Sequence, residues 1–290
     1  MKIAKAEARP GAGEAADSLP LLITAHTEPL SLAALHAAMT DAGAAWLSAE
    51  GLRADTAQRA ESRFYAFYRT AGEIATAHGG WLLCPSPAPP PSTNGLWGLQ
   101  SLLCSGELLL SQFTALLRIS DTANVAPVLP YPQAPEEITA ARVLLEQAMQ
   151  TLCRRGLPFD EALPLGVLLG TPRAVLATRT LLEEVDFLVL DADAIAACGH
   201  TESELALLRL LEVGVGNAHL SGRFAAVRGQ ITLSPPLRAH LLAMGADALC
   251  LPTPALSLHF PVSRAVLSDH HTKFMIKNAL CSCKCERLLL

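Results

Sequence analysis

The sequence predicts an α/β chain, a (β/α)8 barrel with an extra C-terminal helix, on three observations. Short apolar runs of about five residues, suited to strands buried on both faces, alternate with longer amphipathic segments. Proline and acidic residues open several of those segments and glycine closes them, as the two ends of a helix require. The alternation yields eight strands, each followed by a helix, and right-handed crossovers in one direction close such a series into a TIM barrel. An open, doubly wound sheet of eight strands is the other architecture the alternation allows.

Residues 1–18 are rich in Ala, Gly and Glu and read as a flexible leader. The first strand is Leu21–Ala25, and a helix follows from Pro29 to Ala42 with Leu32, Leu35, His36 and Met39 at helical spacing. Ala44–Leu47 is the second strand, ending at Ser48, Ala49 and Glu50. A longer helix, Thr56–His78, carries Phe64, Phe67, Tyr68 and Ala71 on one face, and Gly79–Gly80 stops it before the strand Trp81–Cys84. The proline-rich stretch Pro85–Gly95 reads as a loop over the barrel mouth, because strand–helix alternation resumes after it.

A helix over 106–119 leads to the strand Asn124–Pro130. Pro135, Glu136 and Glu137 open the next helix, Arg154 and Arg155 suit its opposite pole, and Gly156 closes it. Leu165–Leu169 and Phe187–Leu190 are strands joined by one helix that starts at Pro172 and ends near Glu183 and Glu184. The helix Glu202–Val213, strand Phe224–Val227, helix Pro235–Met244 and strand Ala246–Leu251 complete a barrel spanning 19–268. Residues 269–290 form the extra tail, with a helix over His270–Leu288 packed outside.

Composition narrows the function. The chain has 290 residues, 51% apolar and only 17% charged, enough for one large core. A net charge of −5 without a basic cluster argues against a nucleic-acid partner. No apolar run approaches the ~18 residues of a membrane span, and the N-terminus lacks the apolar segment of a signal peptide. A cytoplasmic location follows, with the eight cysteines reduced. Cys281, Cys283 and Cys285 form a C-x-C-x-C tail that is either a metal ligand set or a frayed helix, and the spacing is not that of a zinc knuckle. His270 and His271 read as solvent-facing.

Chemistry on a parallel barrel belongs at the carboxyl ends of its strands. There stand Gly170–Thr171 and Asp191–Asp193. In extended geometry Asp191 and Asp193 face one side and, joined by Glu50, would hold a cation; the alternative is that an aspartate simply caps the following helix. Arg228 at a strand end and Arg118 at a helix end either bind an anion or serve a salt bridge and a helix dipole. Thr171 before Pro172 offers helix amides to an anion, as any helix start does. No Ser-His-Asp order, Walker loop or G-x-G-x-x-G motif occurs.

Several segments carry a family likeness in a fixed order. QFTALLRIS (Gln112–Ser120) is similar to QLRAILRAS, and Pro135–Val175 to an EE-initiated helix, a "GxxFDExIxxG" bridge and a "GIMIETPAAV" strand. EEVDFLVLDADAI resembles "KEVDFFSIGTNDL", while AVRGQ and LLAMGADALCLPTPAL resemble "VCGE" and "LLGLGIDELSVSPAAI". Together with the first unit at LITAHTEP, these run from Leu21 to Leu267 and resemble the phosphoenolpyruvate-binding C-terminal half of enzyme I of the bacterial sugar phosphotransferase system. Phosphoenolpyruvate synthase and pyruvate phosphate dikinase are the wider kin.

The resemblance implies a barrel that binds an anionic substrate with arginines and Mg2+ and protonates the enolate with a cysteine. The positions that match those roles hold other residues. Ser48 stands where the arginine of "RTEF" falls, and Gln100 and Leu103 where the two arginines of "NPFLGWRGIR" fall. The proline stretch after Leu83 replaces "RTLDIGGDK", and the turn after Ile195 lacks the "DRGN" arginine. Gly170 matches the metal-binding glutamate, Ala194 the second metal carboxylate, Arg228 the cysteine and Gln230 the glutamate of "CGE". Arg118, Pro130, Pro172, Asp186, Gly229 and Gly245 match as scaffold.

The expectation is therefore a barrel without catalysis or cofactor, acting through homodimerisation or phosphotransferase-system partners. A second expectation is an active phosphotransferase or lyase-type enzyme using Asp191, Asp193 and Arg228 on another small anion. A third is a decayed fragment with no role.

Overall fold

The computed structural model describes residues 21–26, 31–49, 57–87, 97–198 and 203–252. The leader, the C-terminal helix with its histidines and cysteines, Glu50, and most of the proline-rich stretch lie outside them. Eight parallel strands stand in sequence order: β1 Leu21–His26, β2 Ala44–Leu47, β3 Trp81–Pro85, β4 Val125–Pro130, β5 Gly166–Leu169, β6 Phe187–Asp191, β7 Phe224–Arg228 and β8 Ala248–Pro252. Each pairs with the next, and β8 returns to β1 from Leu21↔Ala248 to Ala25↔Pro252, so the barrel is closed and the open-sheet alternative falls.

Strands β2 to β8 are buried along most of their described length, which is why their sequences are nearly continuously apolar rather than alternating. Side chains still alternate between two layers. Trp46, Val128, Leu168, Phe187, Val189 and Cys250 fill the lumen. Leu47, Leu129, Leu169, Leu188, Leu190 and Leu249 turn outward against the helices. Gly166 makes room for the lumen filling: a Cβ there would lie 2.3 Å from the Phe187 ring.

The outer layer is α1 Leu32–Ala38, α2 Ala57–Ala77, α3 Gly98–Leu103, α4 Glu107–Ser120, α5 Pro135–Arg155, α6 Pro172–Leu176, α7 Thr178–Leu181, α8 Ala192–Ala197, α9 Glu204–Leu220 and α10 Pro235–Ala243. Its differences from expectation have local causes. The single helix expected between β5 and β6 breaks into α6, α7 and a 3-10 turn at Leu182–Glu184. Ala177 leaves helical geometry at the break, where the Thr178 hydroxyl donates to the Val175 carbonyl. The short helices α3 and α8 were not expected; α8 forms because Asp191 caps it. Helix α9 continues past Val213 because Gly214 does not end it: a Cβ there would meet Leu190 at 2.9 Å, so the glycine lets the helix lie close on the sheet. Among the described residues, no helix is long and apolar enough to cross a membrane.

Candidate functional site

The carboxyl ends of β4 to β7 form a rim whose polar groups bond to one another. Asp191 ends β6 and caps α8, its Oδ1 accepting from the Ala194 amide at 3.1 Å. Its Oδ2 accepts from the Tyr131 hydroxyl at 2.9 Å and lies 3.7 Å from a guanidinium nitrogen of Arg228. Arg228 in turn lies over the ring of Trp46, 5.0 Å from its centroid, reaching from β7 across the lumen to β2. Tyr131 stacks on Trp97 with centroids 4.6 Å apart and planes 13° from parallel.

Tyr131 is held in an uncommon backbone conformation. Its φ of 48° is the only positive value at a non-glycine among the described residues. Gly98, itself at φ 60°, lets that backbone approach, since a Cβ there would lie 2.8 Å from the Tyr131 carbonyl oxygen. The ring comes to rest over Gly170. A Cβ at Gly170 would lie 2.4 Å from a ring carbon of Tyr131 and 3.0 Å from Cβ of Ala194. Positions 170 and 194, at the ends of β5 and β6, thus face each other with the tyrosine ring against them.

Asp191 and Asp193 take different partners. The chain turns helical at Ala192, so the period-two geometry of the strand ends there. Both oxygens of Asp193 accept from the Gln230 amide, at 2.8 and 3.1 Å, in the turn after β7. Gly229 at φ 125° permits that approach, for a Cβ there would meet Asp193 Oδ1 at 2.9 Å. The capping alternative holds for Asp191.

Arg118 does not reach the mouth. It lies in the last turn of α4, bonds to Glu61 of α2 at 2.9 Å and covers the Tyr65 ring at 4.1 Å, in the helix layer toward the opposite end of the barrel. Thr171 caps α6, its hydroxyl accepting from the Ala174 amide at 3.2 Å. Ser48 is buried just after β2. Among the described residues, no three His, Cys, Asp or Glu side chains converge on a metal position. Beneath the rim, burial pushes the Cys250 thiol up to about 12, with Asp191 adding to the rise and Arg228 opposing it.

Sequence reasoning missed Tyr131, Trp97 and Trp46. The available signal was weak: aromatics at or just beyond strand ends, and a glycine where the related pattern has a large residue.

The PEP-utilising enzyme, PEP-binding domain family matches residues 93–259. The multiphosphoryl transfer protein 2 of Escherichia coli (strain K12) is 26% identical over 183 residues, covering 58% of this chain and 22% of that protein. The phosphoenolpyruvate-protein phosphotransferase of Cupriavidus necator is 27% identical over 164 residues, covering 52% of this chain and 28% of that protein. The chain thus matches under a third of the length of these relatives. Among solved structures, a HpcH/Hpal aldolase/citrate lyase family protein from Burkholderia cenocepacia J2315 superposes with a TM-score of 0.55 at 12% identity, covering 82% of this chain and 90% of that one. An HpcH/HpaI aldolase from Desulfitobacterium hafniense DCB-2 gives 0.52 at 11%, covering 83% and 89%. These two share the fold alone.

Proposed function

The chain belongs to the PEP-utilising enzyme, PEP-binding domain family, and from that premise we propose that it is an enzyme I-like barrel that has given up its own reaction centre. In this reading it serves the sugar phosphotransferase system as a non-catalytic component in the cytoplasm, through a second copy of itself or a phosphotransferase protein. The observation that carries the reading is the Tyr131 ring seated over Gly170 and beside Ala194. Those are the positions where the resemblance puts the two metal carboxylates.

Magnesium takes about six oxygen ligands at short distance. Gly170 and Ala194 offer no side-chain oxygen, and a carboxylate at 170 would collide with the ring. The residues present therefore do not fit the ion. The proton-donor position offers no proton either: Arg228 is a permanent cation held between Asp191 and Trp46. The alternative, an active phosphotransferase or lyase-type enzyme built on Asp191, Asp193 and Arg228, gains nothing from these contacts, since each of the three is committed to a neighbour.

Calorimetric titration of the full chain with phosphoenolpyruvate and Mg2+ tests the reading. No heat is expected at millimolar ligand. Micromolar binding that requires magnesium would overturn it. Sedimentation of the same protein tests homodimerisation separately.

A further inference from the structure

Far from the rim, on the outer surface, two imidazoles meet. His36 lies in the last turn of α1, and His78 just follows the end of α2. Nδ1 of His36 and Nε2 of His78 are 2.7 Å apart. The ring centroids are 4.7 Å apart with planes crossed at 83°, so the rings meet edge to edge, nitrogen to nitrogen. Neighbours Leu35 and Met39 point into the core, whereas His36 is exposed and His78 half-buried.

We propose that His36 and His78 form a surface site for a divalent transition-metal cation, with zinc as its ligand, that clamps α1 to the end of α2. Imidazole nitrogen is a preferred donor for zinc, and its lone pair lies in the ring plane along the ring edge. In the hydrogen-bonded pair one ring donates a proton to the other, so the two nitrogens already point at a common place. Zinc replaces that proton, which passes through solvent to the other nitrogen of the donor ring, and at the usual Zn–N distance of about 2.0–2.1 Å a tetrahedral site needs a nitrogen separation of roughly 3.3 Å. The rings must open by about half an ångström, which side-chain rotation at an exposed position supplies. Water completes the coordination from the solvent side. The two ligands are 42 residues apart, so the ion holds two separate elements in their folded arrangement and binds the folded chain only.

The test is a zinc chloride titration of the full, reduced chain, followed by calorimetry and by thermal unfolding, in wild type, His36→Ala, His78→Ala and His240→Ala. His240 is an exposed histidine on α10, its Nδ1 against the Pro236 carbonyl oxygen. Wild type and His240→Ala are expected to bind one more zinc per chain than either pair variant, whatever the tail cysteines contribute, and only those two gain thermal stability from that equivalent. His36→Gln replaces His36→Ala should the alanine variant lose its circular-dichroism signature, with the same expectation. Equal stoichiometry in wild type and both pair variants, or the same loss in His240→Ala, overturns the site.

Discussion

The two ends of the barrel use their charges differently. At the amino ends of the strands, carboxylates tie one strand to the next by the same reciprocal bond made twice. The Asp186 amide donates to the Leu165 carbonyl at 2.8 Å, while the Leu165 amide donates back to Asp186 Oδ2 at 2.9 Å. The Asp247 amide donates to the Ala225 carbonyl at 3.0 Å, and the Ala225 amide donates back to Asp247 Oδ2 at 2.8 Å. Each aspartate just precedes a strand, β6 or β8, and grips the start of its neighbour, β5 or β7. At the carboxyl ends, Asp191 caps α8 while meeting Tyr131 and Arg228, Asp193 reaches the turn after β7, and Arg228 lies between a carboxylate and an indole, so these charges serve caps, turns and side chains rather than the starts of strands.

The contrast teaches what maintaining this scaffold demands. A closed parallel barrel needs its strands held in register, and a buried aspartate gripping two backbone groups supplies that whatever the chemistry above it. At the rim, a helix cap, a turn contact and aromatic stacking satisfy the polar groups instead. Asp186 and Gly245, which the sequence resemblance reads as scaffold, lie at the end that holds the strands; Gly170, Ala194 and Arg228, which it reads as replaced, lie at the other.

The largest effect should come from breaking an amino-end clamp. Asp186 is 4% exposed, and Asp186→Ala leaves the Leu165 amide unpaired, with an expected loss of about 3 kcal/mol by urea unfolding. Asp193→Ala at the rim, where the carboxylate is exposed, should cost at most about 1 kcal/mol. Equal losses would erase the distinction between the two ends.

Next is the packing of Tyr131. Gly170→Ala should cost about 2 kcal/mol by overpacking, and Tyr131→Ala made in the same chain should remove most of that penalty. Additive costs in the double-mutant cycle would show that the ring does not rest against position 170. Tyr131→Phe is a smaller perturbation. It removes the hydroxyl that bonds to Asp191 and should cost about 1 kcal/mol, with the stacking on Trp97 kept.

Smallest is the thiol below the rim. With its folded value pushed up to about 12 and the unfolded value near about 8.5, Cys250 favours the folded state fully below that lower value. The unfolded thiol then loses its proton first, so this contribution declines as pH rises from about 8.5 toward about 12. Iodoacetamide on the native chain at pH 8 should spare Cys84 and Cys250 and modify the exposed Cys104, Cys153 and Cys198. Modification of Cys250 at the rate of Cys104 would mean that the lumen opens at the rim.

The barrel was legible because its signals are local. Apolar runs as short as Leu165–Leu169, Pro135 followed by two glutamates, and Gly156 after two arginines each declare an element through its own backbone needs. Asp191 as a helix cap was legible on the same ground. The surroundings of Arg118 stayed open because motif position does not reveal which neighbours a helix-end side chain meets; the structure puts Glu61 and Tyr65 there.

The sequence by itself determined the order of the eight strands and of the longer helices between them, their continuously apolar character, and which residues stand at the ends of those strands, since each depends on residues adjacent along the chain. Only the tertiary structure decided what fills the space above Gly170. Tyr131 is 39 positions away and shares no motif with it, and contacts across a closed barrel depend on register and ring orientation, to which local propensity is blind.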